Sequence, residues 1–261
     1  MRSLNIAATG MLAQQTNVEV ISNNIANMNT TGFKRLRPEF QDLIYQSQRR
    51  VGSNSSDQGT IVPSGIQIGV GVKTAATYRI NEQGNLQLTD NQLDVSIQGE
   101  GFFRIQLPNG DTAYTRSGAF QLSPTGQIVT ADGYTVLPGL TIPQNTVNVT
   151  INASGQVLAK LDGQVQEQNV GQLNLAVFPN IAGLQSIGNN LMIETTASGT
   201  AVQGNPGAAG FGSLLQGYLE TSNVNPVSEI TSLITAQRNY ELNSKVIETS
   251  DQMMNTVNQL R

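Results

Sequence analysis

SNNIANMNTTGFK, residues 22–34, decides how the chain is read. Asn23, Asn24, Asn27 and Asn29 favour caps and turns, because their short amides compete for nearby backbone groups. Ile21, Ile25 and Met28 nonetheless keep helical spacing, and the run closes on Thr30-Thr31-Gly32. Upstream, two series recur every seven residues: Leu4, Met11, Val18 and Ile25, then Ala7, Gln14, Ile21 and Met28. That repeat is the mark of a coiled-coil seam. A helix is expected from near Ser3 to between Asn29 and Gly32.

The other end of the chain answers it. Asn225-Pro226 offers a capping amide and a proline at the first helical position, and Glu229 supplies a carboxylate in the first turn. Leu233, Tyr240, Ile247 and Met254 then recur every seven residues, flanked by Ile230, Ile234, Val257 and Leu260. Gln237, Ser244 and Asp251 are read as polar members that thin this seam. The two long terminal helices are expected to pair antiparallel. Their polar interface suits helices that finish burying their apolar stripe against other copies of the chain.

Between the helices the pattern changes. Asn81-Glu82-Gln83-Gly84, Pro108-Asn109-Gly110, Ser123-Pro124-Thr125-Gly126, Ala131-Asp132-Gly133 and Asn152-Ala153-Ser154-Gly155 are turn signals between short alternating runs. They predict an antiparallel β domain, with Phe102, Phe103 and Phe120 among its core anchors. Two segments rich in Gly and Ser flank it, Arg50–Gly71 and Ser198–Gly217, and are expected to lie side by side and pair as strands. Ile61, Val62, Ile66, Ile68 and Val70 make the first too apolar for a plain linker, which suits a strand shared between molecules. The expected class is α+β: terminal helices in an antiparallel coiled coil, an inserted all-β domain and an extended connecting region. The expected parts are 1–32 with 222–261, then 33–82 with 198–221, then 83–197.

Composition narrows the chemistry. Only 12% of the 261 residues are charged, about half the usual ~25%, and the net charge is −4. A weakly acidic chain does not suit nucleic acid, which needs clustered Lys and Arg. With no Cys and no His, thiolate metal sites and the commonest general base are missing. No catalytic, cofactor or metal residues are assigned. Asp90, Asp94, Glu100 and Asp111 would have to serve a cell-wall glycan hydrolase, the remote alternative, and their spacing carries no reaction signature. Asn5, Thr9, Gln14, Gln15 and Asn17 interrupt any signal-peptide core, so a cleaved leader is not expected.

ISNNIANMNTTGFK (21–34), LDVSIQGEGFF (93–103), YTRSGAFQLSPTGQIVTADGYTVL (114–137) and SNVNPVSEITSLITAQRNYELNSKVIETSDQMMNTVNQL (222–260) together resemble the bacterial flagellar axial rod and hook proteins. Within that family, QGTIVPSGIQIGVGVKTAATYRI (58–80) is most similar to distal-rod members, with proximal-rod members as the alternative. Asp90 stands where the family more often shows Gly. The resemblance implies a structural subunit without enzymatic activity. Its terminal helices would line the channel of a helical tube, with the β domain outside. Leu4, Met11, Val18, Ile21, Ile25, Met28, Leu233, Tyr240, Ile247 and Met254 would form the assembly seam. The 46–70 segment, with Ile61, Val62, Pro63, Ile66 and Ile68, would stiffen the rod. The implied partners are further copies of the chain, proximal rod proteins, the hook protein, the surrounding basal-body rings and the flagellar type III export apparatus. The implied location is the basal-body rod, from periplasm to outer membrane.

Overall fold

The computed structural model of the chain describes residues 2–52 and 64–259. Its contacts divide the chain into two compact units. One comprises Met1–Ala26, Leu36–Tyr78 and Asn225–Arg261; the other comprises Asn27–Arg35 and Arg79–Val224. Ile61, Val62 and Pro63 lie outside the described residues.

The first unit pairs helix α1 (Arg2–Ala26) with helix α2 (Pro226–Gln259). The start of α2 follows from its sequence: Asn225 Oδ1 accepts from the amides of Val227 and Ser228 at 3.1 and 3.3 Å. Glu229 then sits where a carboxylate favours the positive end of the helix dipole. α1 stops at Ala26, short of the expected end. Asn27 and Thr30 close a turn instead, with the Thr30 amide on the Asn27 carbonyl and the Thr30 hydroxyl on the Asn27 side chain. The same unit holds strands β1 (Leu36–Asp42), β2 (Tyr45–Arg49), β3 (Ile66–Gly69) and β4 (Val72–Arg79), paired as β1–β4 and β2–β3. No described helix is long and apolar enough to cross a membrane.

The second unit is the β domain. Its large sheet runs β16 (Gln185–Gly188), β17 (Leu191–Ile193), β8 (Thr112–Thr115), β7 (Phe102–Gln106), β11 (Thr135–Val136), β10 (Ile128–Thr130) and β9 (Phe120–Leu122). β15 (Leu175–Val177) joins through β7 and carries β18 (Val202–Gly204). A three-stranded sheet holds β12 (Thr146–Ile151), β13 (Gln156–Leu161) and β14 (Gln168–Gln172). Two further pairs bring late residues onto early ones: β19 (Ser213–Gln216) lies on β6 (Val95–Gln98), and β20 (Tyr218–Glu220) lies on β5 (Leu86–Leu88).

Strand alternation builds two cores. β7 sends Phe103 and Ile105 into the larger cluster with Val95, Ile97, Phe120 and Leu214. Its other face sends Phe102 to Tyr114, Ala176, Phe178 and Met192. Phe103 meets Phe120 edge-on at 5.0 Å, and Tyr114 meets Phe178 at 4.7 Å. Residues 50–71 and 198–217 do not pair with each other among the described residues. β3 closes locally on β2, while β19 buries Leu214 in the larger core against β6. Apolar burial of Leu214 and the nearness of β2 to β3 in the chain outweigh the expected long-range pairing.

The chain's many glutamines find work at a sheet edge. Gln92 Oε1 accepts from the Val149 amide at 3.2 Å, and Gln216 Oε1 from the Ile151 amide at 2.9 Å. Gln216 Nε2 donates to the carbonyls of Val149 and Gln92, each at 2.7 Å. Two side-chain amides thus satisfy backbone groups on β12 that a neighbouring strand would otherwise claim.

Glycine is demanded where β6 passes the β8–β9 turn. A Cβ on Gly118 would lie 1.6 Å from the Val95 carbonyl oxygen, whereas one on Gly110 would meet nothing. Gly118→Ala is therefore expected to cost about 3 kcal/mol or more in chemical unfolding, the range of severe backbone clashes. Gly110→Ala, at φ 89° on an open turn, should cost only about 1–2 kcal/mol from left-handed strain. Equal losses would show that the close approach is not what fixes Gly118.

Candidate functional site

No described cluster of His, Cys, Asp and Glu could hold a metal. The carboxylates weighed for catalysis occupy structural places. Asp94 is buried and accepts from the Thr89 hydroxyl at 2.7 Å and the Asn91 amide at 3.0 Å. Asp90 occupies a left-handed turn position at φ 58°, the conformation that a glycine would take with least strain. Asp111 accepts from Asn109 in an exposed turn, and Glu100 is exposed. The polar groups that organise this protein lie instead where the chain leaves its terminal helices.

In the β domain that place is a buried ionic cluster. Glu220, Lys34 and Arg116 are 1%, 5% and 6% exposed. Glu220 Oε1 accepts from Lys34 Nζ at 2.5 Å and from the Gly84 amide at 2.9 Å; its Oε2 accepts from Arg116 Nε at 2.6 Å. Arg116 spends three further donors on the carbonyls of Gly101, Ile97 and Gly99. Lys34 donates its second bond to the Glu82 carbonyl at 2.7 Å. A cavity of about 290 Å³ adjoins the cluster, lined by Gln83, Gly99, Glu100, Lys34 and Arg116 among others. Both cations are already engaged with Glu220, so Lys34 and Arg116 offer the cavity no unclaimed positive charge.

The backbone around the cluster is held as firmly. The Gly32 amide donates to the Glu220 carbonyl at 2.8 Å, and the Arg35 amide to Asn223 Oδ1 at 2.7 Å. Asn223 Nδ2 returns to the carbonyls of Ile80 and Glu82. Asn190, itself left-handed at φ 58°, donates to the Thr31 carbonyl at 3.2 Å. Gly32 has φ 69°, and a Cβ there would fall 2.8 Å from the Ser117 amide nitrogen. The Thr30-Thr31-Gly32-Phe33-Lys34 run is therefore a docking segment. Its glycine admits the close approach and its lysine supplies the buried charge.

In the helical unit the corresponding place is Asn24, 1% exposed. Its side chain accepts from the Leu36 amide at 2.8 Å and donates to the Leu36 carbonyl at 2.9 Å, as a paired strand would. It also donates to Glu229 Oε2 at 3.1 Å, joining α1 to the first turn of α2.

The expected seam residues are distributed around the helix pair. Ile21 is buried; Leu4, Met11, Val18, Ile25, Leu233, Ile247 and Met254 are half-buried; Tyr240 is exposed. Met28 lies beyond the end of α1 and is exposed. Gln237, Ser244 and Asp251, read as polar members of the seam, are exposed. The buried members of α2 are Glu229, Ala236 and Ser250, one residue earlier in the same repeat. Ile66 and Ile68 are exposed on β3. Lys34, Arg116, Glu220, Asn190 and Asn223 were not singled out from sequence. Their signal was faint: three charged residues and two asparagines inside otherwise apolar or turn-forming runs.

The ionic cluster gives the β domain an acid limit. Burial alone would raise the Glu220 carboxyl, but Arg116 and Lys34, by charge and hydrogen bond, outweigh it and hold it below the usual glutamate range. Burial dominates at Lys34 and lowers it despite Glu220, whose attraction Arg116 partly offsets. The partners differ because Glu220 has two cations and Lys34 has one anion. A depressed carboxyl stabilises the fold above its unfolded value of ~4.3, and that contribution is lost as pH falls through the folded value. Lys34 has the opposite sign: its charge costs the fold at neutral pH, and the cost eases only toward alkaline pH. Glu220→Gln strands two buried cations, a loss of about 3–5 kcal/mol at neutral pH. The gap between wild type and variant in urea unfolding should narrow as pH falls below ~4.3; a constant gap would show that the cluster does not carry the acid response.

Three family models match the chain in order. Residues 4–34 match the flagella basal body rod protein model, and residues 96–159 the flagellar hook protein FlgE/F/G D1 domain. Residues 215–260 match the flagellar basal body rod FlgEFG protein C-terminal model. The first and last matches contain the Lys34 and Glu220 ends of the ionic cluster, and the middle one contains Arg116. Among curated relatives, the flagellar basal-body rod protein FlgG of Caulobacter vibrioides is 62% identical over the whole of both chains. That of Agrobacterium fabrum is 52% identical over 98% of each, and that of Bacillus subtilis 40% identical over 97% of each. With identity of this order across its full length, the chain belongs to the flagellar basal-body rod protein family.

Proposed function

We propose that the chain is a structural subunit of the distal rod. It polymerises into a rigid helical tube that transmits torque from motor to hook and encloses the export channel. The observation that carries this reading is the uncovered apolar surface of α2. Ile230, Ile234, Leu242, Met253 and Val257 are 46–61% exposed along a helix whose buried members are Glu229, Ala236 and Ser250. A lone chain gains nothing from this surface, whereas further copies would remove it from water at about 25 cal/mol per Å². A contact repeated by a rotation that does not close generates an open filament.

The remaining assignments belong to the same proposal. The half-buried seam residues Leu4, Met11, Val18, Ile25, Leu233, Ile247 and Met254 complete their burial between subunits, with Ile21, Met28 and Tyr240. The exposed β2–β3 hairpin, with Ile66 and Ile68, belongs to the stretch that stiffens the tube, together with Ile61, Val62 and Pro63. Neighbours along and around the rod are proximal rod proteins, the hook protein and the basal-body rings, and the chain reaches them through the type III export apparatus. Its role is mechanical, without a reaction to catalyse.

Ile234→Asp with Leu242→Asp is expected to abolish rod assembly in cells lacking the native chain while leaving the β domain's unfolding midpoint unchanged. Cryo-electron microscopy of basal bodies would read the first effect and urea unfolding the second. Normal rods built from the double variant would remove α2 from the assembly surface. In the same cells, deletion of residues 46–66 is expected to leave an assembled but bendable rod; a straight one would take the stiffening role away from this segment.

A further inference from the structure

The helix pair contains more register information than its apolar repeat. Leu233, Tyr240, Ile247 and Met254 recur every seven residues, as do Leu4, Met11, Val18 and Ile25. A seven-residue slip of one helix along the other would return apolar residues to the same column. Apolar heptads alone are therefore degenerate.

The polar contacts are not degenerate. Ser3 bonds Ser250 at 3.3 Å, a Cβ on Gly10 would touch the Asn243 side chain at 3.1 Å, and Asn24 bonds Glu229 at 3.1 Å. Each seven-residue step forward on α1 is a seven-residue step back on α2. The missing step sets Asn17 against Ala236, the most buried residue of α2 at 1% exposure. One column of the interface is thus serine, glycine, asparagine and asparagine on α1, facing serine, asparagine, alanine and glutamate on α2. If α2 slips so that Ser3 meets Val257, Asn24 faces Ala236 and Glu229 passes beyond Ala26, where α1 ends. The Asn24 amide then keeps its two bonds to Leu36 but loses the carboxylate, so its second N–H must find another acceptor or remain unsatisfied in the interior.

We propose that the Asn24–Glu229 layer is the register-determining site of the helix pair. It selects one antiparallel alignment among those the heptads allow, at a cost in pairing strength. Asn24 couples this choice to the rest of its unit, because the same side chain holds both backbone groups of Leu36 at the start of β1. The inference concerns pairing within one chain and stands apart from the polymer's architecture.

The absence of cysteine from the chain makes the test direct. Three full-length variants carry Ser3→Cys together with Ser250→Cys, Val257→Cys or Asn243→Cys, reporting the native register and a slip of one heptad either way. In a glutathione redox buffer, the native pair should form its disulfide at least about tenfold more favourably than either slipped pair. Adding Asn24→Leu and Glu229→Leu should reduce that preference to about threefold or less while helical circular dichroism is retained or increased. No preference in the native background, an undiminished preference after both replacements, or loss of the helices on replacement would each overturn the proposal.

Discussion

The β domain is organised around one buried carboxylate. Glu220 binds Lys34, Arg116 and the Gly84 amide through its side chain and the Gly32 amide through its carbonyl. Those partners come from the run leading out of the N-terminal helix, from the YTRSG turn and from the strand entry at Gly84. Through Arg116 the same group reaches the carbonyls of Ile97, Gly99 and Gly101, which flank the core strands β6 and β7. A buried ion pair is not a general source of stability, because desolvation offsets its attraction. Its value here is placement: it ties Lys34, 186 residues away in the chain, and Arg116 to one carboxylate while also holding the Gly84 amide.

Asn24 does for the helical unit what Glu220 does for the β domain. Each is a buried polar side chain that grips backbone as well as an oppositely polarised partner, and each lies beside a junction in the chain. Between them, the residues of SNNIANMNTTGFK divide into two uses. Asn24 faces its helix partner and β1; Thr31, Gly32 and Lys34 dock into the β domain. A subunit built this way aligns its own helices partly through polar contacts, while Ile230, Ile234, Leu242, Met253 and Val257 of α2 stay exposed. That suits membership of a family whose members form a rod.

The helices, the β interior and the aromatic anchors were legible in the sequence because periodicity reports burial directly. Leu233 and its heptad partners announce a helix face, and alternation around Phe103 announces a strand. The polar column escaped because a heptad scan searches for apolar residues, so it chose Leu4 and Met11 over Ser3 and Gly10, one position earlier. Gln237, Ser244 and Asp251 are exposed on the helix pair of a single chain, where the neighbouring Ala236 and Ser250 are buried. The ionic cluster escaped for a different reason: Lys34 and Glu220 lie 186 residues apart, and no local pattern links a lysine after a glycine turn to a glutamate ending a strand. Asp90 was the reverse case: a departure from the family's glycine put the expected turn in question, and the structure keeps Asp90 left-handed at φ 58°.

The central claim is that Glu220 locks both chain junctions of the β domain into its folded core. Native-state hydrogen exchange at the Gly32 and Gly84 amides measures this most directly, since both donate to Glu220. The account predicts that they exchange as slowly as amides of β6 and β7, through global unfolding only. In Lys34→Met they should exchange faster while those strand amides keep their protection. Rapid exchange at Gly32 and Gly84 in the native chain, or protection unaltered by Lys34→Met, would contradict it.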